Sequence, residues 1–146
     1  YTVWRRTIPY PSMTTFDAPS RETCTVRRIR TNTPLQAFVT LNDPVFVEAA
    51  QALARRIAKE GGSTPDARLS YGLTLVLSRP AQESQVKTLK NLYEKELTRL
   101  EKDAQSTKAL LGDPKNPLPK GLTEAELAAL TIVSNVLLNL DAVLTK

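Results

Sequence analysis

Three times in the first half of the chain a short hydrogen-bonding side chain stands directly before a proline: Thr33-Pro34, Asp43-Pro44 and Thr64-Pro65. Thr and Asp can accept from the unpaired N–H groups that begin a helix, and proline suits the first helical position because its missing N–H would have no partner there. Each dipeptide therefore predicts a helix start, and the residues that follow agree. The first helix is predicted over residues 35–41. The second runs from 44 to about 60, with Phe46, Ala50, Leu53 and Ile57 on one face and Glu48, Arg55 and Lys59 opposite, and stops at Gly61-Gly62. The third carries Leu69, Leu73, Val76 and Leu77 before Arg79-Pro80 ends it.

Two longer stripes lie downstream. From Ala81 to about Ser106, Val86, Leu89, Tyr93, Leu97, Leu100 and Ala104 recur at helical spacing on a densely charged background, with Glu83 four residues before Lys87 in the favourable order. Thr123 and Glu126 have capping-box spacing and open a last helix whose stripe is Leu127, Leu130, Val133, Leu137, Leu140 and Leu144. Ile132, Val136, Leu138 and Val143 widen that stripe beyond one face, which predicts a central position. The intervening residues 112–121 hold three prolines and no period, and read as a surface loop.

The fold predicted is all-α: an irregular helical bundle of about five helices with an extended N-terminal arm. Residues 1–33 form the arm, which holds Pro9, Pro11 and Pro19 and no sustained period, and residues 34–146 form the helical domain. At 146 residues, 41% of them hydrophobic, one domain is expected. The longest apolar run, residues 130–140, is interrupted by Thr, Ser and two Asn and falls short of the roughly 20 residues a membrane crossing needs. No transmembrane span and a soluble chain are expected. The start at Tyr1, with neither Met nor leader, predicts a piece of a longer polypeptide.

The chain has no histidine. That excludes Ser-His-Asp and Cys-His nucleophile systems, HExxH metal sites and CxxCH haem attachment. Five scattered glycines make no phosphate-cradling loop. The single cysteine, Cys24, lies between Arg21 and Arg27, where positive charge favours a thiolate. With no general base beside it, Cys24 is expected to pack as a small apolar residue. Pairs such as Glu94/Glu96 and Glu101/Asp103 lie two apart on a helix and diverge, so no catalytic dyad, no catalytic residue and no metal site is predicted.

Of the net charge of +5, four units belong to residues 1–33, where six arginines face two acids. Arg27, Arg28, Asn32, Gln36 and Asp43 are the candidates for binding a carbohydrate or other anion. Asp17, Arg21, Cys24 and Thr33 are candidates for a structural junction, in which the guanidinium groups pair with carboxylates or helix-end carbonyls and brace arm to core. Nucleic-acid binding through the arginines and Trp4, Tyr10 and Phe16 is a third reading, weakened by the modest charge.

Specific residues carry a family resemblance: Phe16-Asp17-Ala18-Pro19, Arg21-Glu22, Cys24, Arg27-Arg28, the run from Thr31 to Ala37, and Leu41-Asn42-Asp43-Pro44. Ser78-Arg79-Pro80 with Glu83, and Leu137-Leu138-Asn139-Leu140-Asp141, add to it. The chain resembles the later half of a planctomycete domain of unknown function, of the C-terminal planctomycete surface-domain type. That domain accompanies planctomycete cytochrome-c-like domains in large exported proteins. It departs from the family near its end, where Ala142-Val143 stand in place of a Glu-Phe pattern. The resemblance implies an exported, periplasmic or cell-surface location and a context of polysaccharide breakdown. It also implies that any haem c is held by a separate domain or partner, with no cofactor in this chain. No catalytic residues come with it. The function expected is a non-catalytic structural or interaction module that docks, through the broad apolar surface of its last helix, to the rest of its own polypeptide or to a subunit of a larger assembly. An enzymatic or carbohydrate-binding domain using the Arg/Asn/Asp strip is the alternative.

Overall fold

A computed structural model describes residues 7–27, 31, 33–113 and 116–144. The described residues form eight helices and no strand, an all-α fold: α1 (Pro11–Thr15), α2 (Pro34–Asn42), α3 (Pro44–Glu60), α4 (Pro65–Leu77), α5 (Glu83–Leu100), α6 (Ala104–Leu111), α7 (Glu124–Leu138) and α8 (Asp141–Leu144). The proline punctuation does what the residue chemistry dictates. Thr33 and Gln36 make a reciprocal capping box at the start of α2, the Asp43 carboxylate accepts from the Val45 N–H at 2.9 Å to cap α3, and Thr64 caps α4. Thr123 and Glu126 form a second capping box on α7.

α3 ends at a close approach. A Cβ on Gly61 would stand 2.6 Å from the Ile57 carbonyl oxygen and 2.9 Å from Arg68 Cα, so no other residue lets α4 fold back at that distance. The guanidinium of Arg68 then donates to the Gly62 carbonyl at 3.0 Å, satisfying an acceptor beyond the helix end.

The centre of the molecule is α7. Leu127, Ala128, Ala129, Leu130 and Thr131 are all buried, and five consecutive buried residues occupy every direction around a helix. α3, α4, α5 and α6 all pack on it. Ile57, Leu69, Leu73, Leu89, Tyr93 and Leu100 close the same cluster from the surrounding helices. Burying each such side chain stabilises the fold by about 1.5–3 kcal/mol.

Three expectations are corrected. The helix predicted from Ala81 to Ser106 breaks into α5 and α6, because Asp103 turns its carboxylate onto the Ser106 N–H and hydroxyl and so caps a new helix; Thr107 Oγ1 closes the junction by donating to the Leu100 carbonyl at 2.8 Å. The last helix stops at Leu138, where Asn139 ends it and its side chain is drawn to α2, and only Asp141–Leu144 resumes. Within the residues read as an extended arm, Pro11–Thr15 forms a helical turn that begins, once more, with proline at its first position. The predicted arm also includes residues 1–6, 28–30 and 32, which lie outside the described residues.

The proline-rich connection between α6 and α7 is tethered. The Arg55 guanidinium spans it, donating to the carbonyls of Leu111 at 2.9 Å and Pro117 at 2.8 Å. Arginine bracing of the kind predicted for the N-terminal strip is thus seen at Arg55 and Arg68, in the helical body. No helix of the described residues is long and apolar enough to cross a membrane.

Candidate functional site

Residues 11–17 and Thr31 join α2 in a layer beside the first turn of α3. Its knot is Gln36, only 3% exposed. The Gln36 amide donates to the Thr15 carbonyl at 2.9 Å and to Thr31 Oγ1 at 3.0 Å, while its Oε1 accepts from the Thr33 N–H at 3.1 Å. Asp17, held in the left-handed region at φ 58°, accepts from the Thr31 N–H at 2.7 Å and from the Thr31 hydroxyl. Ser12 donates to Asp43 at 2.5 Å, and the Phe16 and Phe46 rings meet with centroids 5.9 Å apart. The bonds from Ser12 and from the Val45 N–H hold the Asp43 carboxyl below the usual carboxylate range, so it stays ionised in the cap.

These positions separate the candidate residues. Gln36 is buried and bonded within the layer, and Asp43 is engaged by Ser12 and Val45. Arg27 is exposed in a stretch without helix or strand, and Arg28 and Asn32 lie outside the described residues. Among the junction candidates, Asp17 and Thr33 sit in the Gln36 knot, whereas Arg21 and Cys24 lie in the exposed stretch. Cys24 is a free, exposed thiol, which corrects the expectation of a packed apolar residue: residues 20–27 are all exposed and offer it no surface to pack on. Among the described residues, no three His, Cys, Asp or Glu side chains gather as a metal would need.

The same layer contains a feature that sequence reasoning missed: α2 is inside out. Its two buried residues, Gln36 and Thr40, are polar. Its large apolar side chains face solvent, Leu35 at 62%, Phe38 at 69% and Leu41 at 42% exposed, and Val45 on the first turn of α3 adds 63%. At about 100° per residue, Phe38 stands nearly opposite both Gln36 and Thr40, so the inversion involves the whole helix. Inward, Thr40 Oγ1 donates to Asn139 Oδ1 at 2.6 Å and the Asn135 amide donates to the Leu41 carbonyl at 3.3 Å, so α2 meets α7 through polar groups. The segment from Thr31 to Asn42 carries no charge, which was the available signal. Its apolar spacing identifies a face, yet nothing in the spacing says which way that face points.

The central stripe of the last helix, within the expected docking face, is buried in the molecule. Leu127, Leu130, Val133 and Leu137 are each at most 2% exposed. Among the described helices, the exposed large apolar side chains lie on α2 and the first turn of α3.

No curated protein and no solved structure matches the chain. Residues 1–93 match PSD1, a protein of unknown function (DUF1553). The matched residues include the whole N-terminal layer, α3, α4 and most of α5. With well over half of its 146 residues matched, the chain belongs to the PSD1 family.

Proposed function

We propose that this chain is a non-catalytic interaction module of a larger exported or cell-surface bacterial protein or assembly, in which a helical bundle carries an N-terminal arm and docks through the outer face of α2. The observation that carries this reading is the inversion of α2. Single exposed apolar residues are ordinary on a protein surface, but Leu35, Phe38 and Leu41 share one face of α2 by helical spacing, and Val45 is exposed on the first turn of α3. Removing these side chains from water would favour an association. The partner is an apolar protein surface, supplied by the rest of the same polypeptide or by another subunit; any haem c belongs to that partner. This reading is favoured over a carbohydrate, anion or nucleic-acid site because the burial of Gln36 and the pairing of Asp43 withdraw two of the five polar candidates from an open surface.

Oxidative footprinting tests it. In the isolated chain Leu35 and Phe38 are expected to label strongly, and in the native cell-envelope assembly they are expected to be protected, while Leu118 on the α6–α7 connection labels in both. Equal labelling of Phe38 in the two settings would falsify the reading.

A further inference from the structure

The layer that presents this face is fastened to the helical body by a different kind of force from the one that holds the body together. α3 through α7 share one apolar cluster, to which neither α1 nor α2 contributes a residue. α1 has no buried residue at all. Among the described residues, the side-chain links seen from layer to body are mostly polar: Ser12 to Asp43, Thr40 to Asn139 and Asn135 to the Leu41 carbonyl, beside the Phe16–Phe46 ring pair. One polar group at this seam is unsatisfied, since Asn135 Oδ1 is buried with no hydrogen-bond partner among the described residues, and such an orphan weakens the closed arrangement. Within the layer, in contrast, Gln36 ties the end of α1, Thr31 and the start of α2 into one knot.

A unit that coheres internally but buries little apolar area against its support opens more readily than the support unfolds. We propose that α1, the Gln36 knot and α2 form a strap that opens from the body as one unit, closed by polar latches at Asp43 and Asn139. Opening frees the inner, polar side of α2 while the cluster around α7 stays intact. A partner bound to the outer face of α2 therefore holds a movable element and can shift the strap between its two positions. That coupling rests on the docking reading above; the opening itself does not.

Native-state hydrogen exchange on the isolated chain at low urea tests the opening without any partner. Amides of α2 are expected to exchange roughly tenfold or more faster than those of α4 and α7, with a weaker dependence on urea, as a sub-global opening requires. Thr40→Val keeps the shape and removes the donor to Asn139, and is expected to speed α2 exchange several-fold further while leaving α7 protection unchanged. Equal protection and equal urea dependence in α2 and α7 would overturn the proposal, as would a Thr40→Val chain in which both fall together. Should Thr40→Val not fold, Ser12→Ala tests the other latch with the same readout, and the wild-type comparison still decides.

Discussion

Gly72 sits on α4 facing side chains of both α3 and α7. A Cβ placed there would lie 2.8 Å from Ile57 Cδ1 and 3.1 Å from Leu137 Cδ1. Two effects oppose each other in Gly72→Ala. Helix propensity favours alanine by about 1 kcal/mol, whereas forcing a methyl into a filled interior costs about 1–3 kcal/mol. Ile57 is 1% and Leu137 0% exposed, so neither methyl has free space to move into and the packing cost should win. The urea midpoint of Gly72→Ala is expected to fall; a rise would show that the three-helix contact relaxes at little cost. Gly72 also marks a limit of reading at this level, since a lone glycine in a helical pattern does not announce what lies across from it. Tyr93 is a similar case. Its place in the apolar stripe is plain from spacing, but the rise of its hydroxyl pKa to about 12, from burial and then the nearby Glu126 carboxylate, depends on an α7 residue 33 positions away.

Among the helices, four starts were legible, and the interruptions inside the two long apolar periods were not. Thr33, Asp43, Thr64 and Thr123 each cap the helix their sequence context predicts, because a cap is a local contact spanning three residues or fewer. Asp103 is also a cap, yet it lies inside a continuous apolar period and was read as part of one long charged face. Its bonds from the Ser106 side chain, and then from the Ser106 N–H, hold its carboxyl below the usual range. A carboxyl whose folded pKa lies below its unfolded value contributes stability that is present above the unfolded value, about 3.9, and is lost as pH falls through the folded one. Protection of α6 amides should therefore drop on acidification below about pH 4. Asp103→Asn keeps a good capping side chain without the charge, so its α6 protection should vary less over the same window. If the two proteins respond to acid identically, Asp103 is not the group responsible.

Across the molecule, the predicted central position of the last helix holds for α7, and its wide apolar surface is the reason. The stripe from which docking was expected is covered inside the molecule, because α3, α4, α5 and α6 pack on it. Leu127→Ala should cost about 2–5 kcal/mol and lower the unfolding midpoint of the whole body, as truncation of a sealed core side chain does. Leu35→Ala, on the outer face of α2, should change stability by no more than about 0.5 kcal/mol. Comparable losses in the two variants would mean that α2 is part of the core and that the layer is not a separate structural unit. The all-α class, most helix starts, and the absence of histidine-dependent chemistry could be read from residue order alone, because each depends on composition or on contacts between near neighbours. The direction α2 faces, the exposure of Cys24, and the meeting of Thr40 with Asn139 could not. An apolar period is the same whether a helix turns it toward a core or toward water, and that choice is made by chain segments about 100 residues apart that only folding brings together.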